Sequence, residues 1–230
     1  MPLACKLLFE LEQGSLFVNS QEALAKILAG VKKFQEEVFP EQQRLFQRLA
    51  HGQQPMAMLF TCADSRIVPN LLLQTGPGEV FVERTPGNIV PKYSDHIGGV
   101  TASMEFAVVA LGVPLIIICG HTDCGVVKAL LHPEKTGGMP ALQSWMRHSM
   151  AARDRLLRDH FGGPEDEKLH RLTQYNVLQQ LENLKTHPAV ESRLASGELQ
   201  VEGWIYDIGN GSVLAADQKT GEFRALVPSA

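Results

Sequence analysis

Between residues 21 and 50, apolar side chains recur every three or four positions, at Leu24, Ile27, Leu28, Val31, Phe34 and Val38, and again at Leu45, Phe46 and Leu49. That period predicts an amphipathic helical stretch. Pro40, which has no N–H to give to a helical ladder, divides it into two helices. The period then changes. MAMLFT (56–61) and EVFVER (79–84) are short apolar or alternating runs with the turn-rich TGPGE just before the second, and both read as strands. GGVTASMEFAVVAL (98–111) reads as a small-residue helix, and LIIIC (115–119) as a β-branched strand of the kind a parallel sheet buries on both faces. Helical spacing returns over 125–131, 139–160 and 167–185. The pattern closes with LQVEGWIYDI (199–208) and VLAAD (213–217) on either side of Gly209, Asn210, Gly211 and Ser212, a hairpin signal. Alternating strands and helices predict an α/β fold with a mostly parallel central sheet and an antiparallel edge strand, flanked by helices. The expected division is a stretch 1–20 without an assignable role, a helical arm over 21–55, and an α/β domain over 56–230.

Composition narrows the classes of function. The chain has 230 residues and 44% hydrophobic content, enough for a sizeable core. Its formal charge of -4 is spread over mixed signs without a basic stripe, so neither nucleic acid nor an anionic membrane is an expected partner. The opening MPLACKLLFELEQ is interrupted by Glu10 and Glu12, unlike a secretory signal. The uncharged run Phe106–Gly120 carries Gly112 and Pro114 and falls short of the roughly 18–20 residues that a membrane-spanning helix needs, so membrane insertion is not expected. Four cysteines, Cys5, Cys62, Cys119 and Cys124, are too few for a disulfide framework, and a reducing cytoplasm is the expected compartment.

Candidate chemistry lies at two predicted strand ends. After MAMLFT come Cys62, Ala63, Asp64, Ser65 and Arg66; after LIIIC come Gly120, His121, Thr122, Asp123 and Cys124. Functional groups of open α/β sheets gather where parallel strands end. If these two strands are neighbours, Cys62, His121 and Cys124 converge although 58 residues lie between the first two. Two thiolates and an imidazole suit Zn²⁺, and three protein ligands leave the open fourth position of a catalytic site. A buried cysteine is more often a small core residue, and that reading applies to Cys119 inside the β-branched run. His-x-x-Cys alone is also a weak signal; the conjunction of two such strand ends carries the argument. Two thiolates already cancel the charge of zinc, so Asp64 is expected off the metal, ionised by Arg66 and accepting a hydrogen bond from a metal-bound water. The plainer alternative is a surface ion pair worth about 0–1 kcal/mol. Two thiolate donors also predict activity that rises with pH across the neutral range.

These residues resemble the β-class carbonic anhydrases, which carry C-x-D-x-R after one strand and H-x-x-C-G after a later one. GEVFVERTPGNIVP (78–91), GGVTASMEFAVVALGV (98–113), IIICGHTDCGVVKALL (116–131) and VEGWIYDIGNG (201–211) are similar to further segments of the family in the same order, so the resemblance runs from about residue 22 to 217. It implies a zinc lyase that hydrates carbon dioxide reversibly to bicarbonate and a proton through zinc-bound hydroxide. Cys62, His121 and Cys124 would be the ligands and Asp64 and Arg66 the orienting dyad. It further implies a homodimer or higher even oligomer, with the N-terminal helices packing on a partner subunit and the cleft at the interface. One subgroup of the family closes its site with the aspartate and has tryptophan where this chain has Leu59, which favours the open kind here. Thr85, Pro86 and Thr101 depart from the usual pattern, and Gly76 stands where plant members place a substrate-contacting glutamine. Two alternatives stay open: the same fold acting on carbonyl sulfide or carbon disulfide, and a non-catalytic zinc-stabilised interaction module. Tyr93 and His96 are candidate proton relays, and Trp145 and Trp204 read as packing residues.

Overall fold

The computed structural model describes residues 18–93 and 98–227, so His96 lies outside the described residues. The described residues form two compact units that divide between residues 53 and 54.

In the first unit, helix α1 (Ser20–Lys33) starts at Asn19, whose side chain accepts the N–H groups of Gln21 and Glu22 while the Glu22 carboxylate accepts from the Asn19 N–H. This reciprocal cap satisfies donors that the first helical turn cannot pair itself. The chain continues through a π-helical turn (Phe34–Val38) into α2 (Phe39–Glu41) and then α3 (Gln43–Leu49). The predicted break at Pro40 therefore moves to Gln42, where the backbone leaves helical geometry. A proline is tolerated in the first turn of a segment, where its missing N–H costs nothing, and the widened π-helical turn precedes it. Phe34, Phe39 and Phe46 pack ring against ring at 5.4–6.1 Å. None of the residues of α1 is buried: Leu24, Ile27 and Leu28 are each more than half exposed.

The second unit is an α/β structure on a six-stranded sheet. The strands are β1 (Ala57–Cys62), β2 (Val80–Thr85), β3 (Leu115–His121), β4 (Gln200–Tyr206), β5 (Val213–Ala216) and β6 (Phe223–Ala225). They lie in the order β2-β1-β3-β4-β5-β6, the first four parallel and the last two antiparallel. The predicted antiparallel edge thus has a second strand, β6, whose three residues are too few to show a period. The helices of this unit are α4 (Pro69–Leu73), α5 (Gly99–Glu105, continued by a π-helical turn), α6 (Gly125–Leu131), α7 (Pro140–Met146), α8 (Met150–Arg158), α9 (Glu165–Lys185) and α10 (Pro188–Ala195).

All six residues of β1 are buried, as are six of the seven in β3, in keeping with central parallel strands covered on both faces. On one face Phe60, Ile116, Ile118 and Ile205 pack against Val177, Leu181 and Leu184 of α9. Close approach of α9 depends on two glycines. A Cβ on Gly120 would lie 2.8 Å from the Val177 Cγ2, and one on Gly203 2.7 Å from the Leu181 Cδ1. On the other face Leu59, Ile117 and Cys119 form a smaller cluster with Trp204 and Tyr206. Cys119 is thus a core residue, and burial pushes its thiol up to about 12.

Candidate metal centre

Strands β1 and β3 are adjacent and parallel, with Thr61 beside Cys119, so their carboxyl ends open at the same edge of the sheet. Cys62 is the last residue of β1 and His121 the last of β3. Asp123 then takes a left-handed backbone conformation (φ 59°), and Cys124 follows as the residue that opens α6. The two sulfurs and a ring nitrogen all lie within 4.8 Å of one another, and all three side chains are buried.

Three observations test whether this cluster fits a metal. First, the sulfurs are 3.9 Å apart, against about 3.8 Å for two thiolates on one tetrahedral zinc at about 2.3 Å each. Second, Nδ1 of His121 lies 2.8 Å from the Thr122 carbonyl oxygen, which fixes Nδ1 as the protonated nitrogen and leaves the lone pair on Nε2. That Nε2 is buried and has no hydrogen-bond partner among the described residues, a costly arrangement unless a cation or other group receives the lone pair. Third, the two thiols are in electrostatic conflict. A hydrogen bond from Cys124 holds Cys62 down to about 4, while the Cys62 sulfur and burial together push Cys124 upward. A divalent cation between them removes the conflict by stabilising both as thiolates. The donor set therefore fits zinc.

Beside the cluster, Arg66 grips Asp64 with both arms of its fork: Nε donates to Oδ1 at 2.9 Å and Nη2 to Oδ2 at 2.8 Å, and the Arg66 backbone N–H also reaches Oδ1. This pairing holds the Asp64 carboxyl down to about 2 and raises Arg66. Asp64 Oδ2 stands 3.9 Å from His121 Nε2, so the ionised carboxylate faces the space the three ligand atoms enclose while remaining bound to its guanidinium.

All five residues singled out in the sequence thus meet at one strand edge. Several neighbours escaped sequence reasoning. Arg84 donates from Nε to the Cys62 carbonyl and from Nη2 to the Asp64 carbonyl, fixing the backbone that carries both. Asp123 accepts from Arg66 Nη1 at 3.0 Å and pairs with Lys128. Burial works against ionisation of Asp123, but Lys128 and Arg66 outweigh it and lower its carboxyl. The Gly87 N–H donates to the Cys62 sulfur at 3.3 Å. Trp145, expected only to pack, donates its indole N–H to the Pro86 carbonyl at 2.9 Å. The second acid, within HTDCG, was the only visible signal for any of these; backbone partners leave no trace in a sequence. Thr85 donates its hydroxyl to the Ile89 carbonyl within its own loop, and Thr101 is buried on α5. Tyr93 is partly exposed, with its ring edge-on to His187.

Comparison with known proteins agrees with this geometry. A family model described as carbonic anhydrase matches residues 57–213. The carbonic anhydrase of Pseudomonas aeruginosa is 43% identical over 200 residues, covering 87% of this chain and 90% of the relative. Carbonic anhydrase 1 of Escherichia coli O157:H7 is also 43% identical, covering 88% of this chain and 92% of the relative. Among solved structures, the β-carbonic anhydrase CcaA superposes with a TM-score of 0.85 at 39% identity, over 88% of this chain and 99% of that one. Tetrameric β-carbonic anhydrases of Sordaria macrospora superpose with a TM-score of 0.73 at 28% identity, over 90% and 99%. The chain therefore belongs to the carbonic anhydrase family, in its β class.

Proposed function

We propose that Cys62, His121 and Cys124 hold the zinc ion, and that Asp64 and Arg66 orient the reacting water, in the reaction of this family: the reversible hydration of carbon dioxide to bicarbonate and a proton. Membership of the β class supplies the reaction and the metal. The observation that carries the residue assignment is the buried His121 Nε2, its lone pair directed by the Nδ1–Thr122 bond and left without a partner among the described residues, beside two sulfurs at the separation zinc requires.

Zinc bound there supplies Lewis acidity, which lowers the pKa of a coordinated water toward the neutral range. The protein's own groups then set orientation. Asp64, kept ionised by the bidentate grip of Arg66, can only accept a hydrogen bond. It therefore takes a proton-bearing direction of the reacting water and leaves an oxygen lone pair pointed elsewhere, toward carbon dioxide. Arg66 is itself anchored by Asp123, which stops the dyad from swinging toward the metal ligands.

Cys62→Ser and His121→Ala should each lose zinc on purification and lose carbon dioxide hydration measured by stopped flow with a pH indicator. Full zinc content in either variant would remove that residue from the ligand set. The exposed apolar face of α1 supports an assembly in which this arm packs on a partner copy, as a homodimer or higher even oligomer. No helix among the described residues is long and apolar enough to cross a membrane, and the low cysteine content of the sequence is what supports a reducing cytoplasm.

A further inference from the structure

The loop 86–91 is held from two sides, by buried amide side chains of α9 and by the partly buried indole of Trp145. On α9, Asn176, Gln180 and Asn183 fall at positions i, i+4 and i+7, on one face, and all are essentially fully buried. Burying three amides in a helix face is costly unless each is bonded. Their partners lie in this loop: the Asn176 Nδ2 donates to the Gly87 carbonyl at 3.0 Å, Val90 N–H donates to Gln180 Oε1 at 2.9 Å, and Asn183 Nδ2 donates to the Val90 carbonyl at 2.8 Å. The row is also self-linked, since Gln180 Nε2 and the Ser149 hydroxyl both donate to Asn176 Oδ1.

From the other side, the Trp145 indole N–H donates to the Pro86 carbonyl. Pro86 C=O and Gly87 N–H belong to one planar trans peptide, so they point in opposite directions. A donor fixed on the carbonyl therefore aims the amide, and the Gly87 amide is aimed at the Cys62 sulfur. The same polarisation strengthens the amide as a donor. Gly87 itself is in the left-handed region (φ 71°), and a Cβ there would meet Val126 Cγ1 at 2.8 Å, so the close approach needs glycine.

We propose that Trp145 and Asn176 are positioning residues of the metal centre: they clamp the Pro86–Gly87–Asn88 backbone so that the Gly87 N–H draws charge from the Cys62 sulfur and limits how far that thiolate weakens the metal as a Lewis acid. The inference rests on Cys62 being a ligand. Partners that orient or polarise metal ligands in this way change affinity or activity by about 10–100-fold when removed.

The test uses full-length protein loaded with cobalt(II), whose thiolate-to-metal absorption reports the charge on sulfur. Trp145→Phe keeps an aromatic ring and deletes the donor together with the pyrrole ring that carries it; the Trp204→Phe control loses the same atoms. Its charge-transfer band should move to lower energy, and kcat for carbon dioxide hydration with zinc should fall about tenfold with KM little changed. Asn176→Ser should move the band in the same direction. Trp204→Phe is the control, because the Trp204 indole N–H is buried without a partner among the described residues; its band should stay at the wild-type position. A folded Trp145→Phe protein with wild-type band and kcat overturns the proposal, as does a shift of equal size in the Trp204→Phe control. If the variants fail to fold, cadmium-113-loaded wild-type protein decides: coupling between the metal and the Gly87 amide proton supports the clamp, and its absence overturns it. A Cys62→Ser cobalt protein that keeps the full two-thiolate band intensity would instead refute the ligand assignment, leaving the two failures distinguishable.

Discussion

Arg66 holds Asp64 by both carboxylate oxygens and with the same guanidinium reaches Asp123, so the two acids that follow the two strand ends are tied through one cation. The carboxylate beside the candidate ligands is thereby kept ionised and held by its guanidinium. Arginine is suited to this because its planar fork matches a carboxylate at two points and leaves a third donor edge free.

Asp64→Asn should lower carbon dioxide hydration by about 10–100-fold while leaving zinc content at one per chain. The amide keeps the shape of the carboxylate but presents a donor where only an acceptor serves. Stopped-flow rates and metal analysis on the same preparation check this. Loss of zinc in parallel with activity would make Asp64 a ligand instead of an orienting group.

The same pair has a predictable acid response. Asp64 is held down to about 2 in the folded protein, below the usual carboxylate value of about 3.9, so its contribution to stability is fully present above about pH 4 and disappears as the pH falls toward 2. Denaturant unfolding of wild type and Asp64→Asn should therefore differ in favour of wild type at pH 6, with the gap closing between pH 4 and 2. A gap that widens on acidification contradicts the sign.

Two thiolate ligands donate more charge to zinc than three imidazoles, whose site brings the pKa of water to about 7. Hydration activity should accordingly keep rising with pH through and above neutrality. Initial rates in non-coordinating buffers measure this, and a flat profile would show that the thiolate charge is offset elsewhere.

The exposed apolar row on α1 invites a direct experiment. Leu28→Glu places a charge among Leu24, Ile27 and Val31, all exposed within the chain. If that row packs on another copy, light scattering should show the variant dissociating at concentrations where wild type is associated. An unchanged mass would remove α1 from the interface.

Gly203→Ala should destabilise the α/β unit by about 1–3 kcal/mol, because the added methyl would sit 2.7 Å from Leu181 and 3.0 Å from Val177. Chemical denaturation measures the loss. A neutral result would mean that α9 shifts off the sheet at no cost.

How much of this was legible beforehand differs between elements. LIIIC announced itself as a buried strand by its β-branched run, whereas MAMLFT, with Thr61 alone β-branched, was legible through its shortness, and each strand began within a residue of its predicted start. Pro40 misled, since the chain widened into a π-helical turn before it and broke two residues later. The three-residue β6 has no period to read, and its pairing with β5 depends on a neighbour already in place.

The five residues of the candidate centre were determined by the sequence, because thiol, imidazole, carboxylate and guanidinium carry their chemistry in the side chain. What surrounds them was decided only by tertiary structure. The Gly87 amide on the Cys62 sulfur, the Arg84 bonds to two carbonyls and the Trp145 bond to Pro86 all use backbone groups, which every residue possesses alike. Such groups acquire a role only when folding brings a particular peptide plane, in a particular orientation, to within bonding distance of a partner far away in the chain.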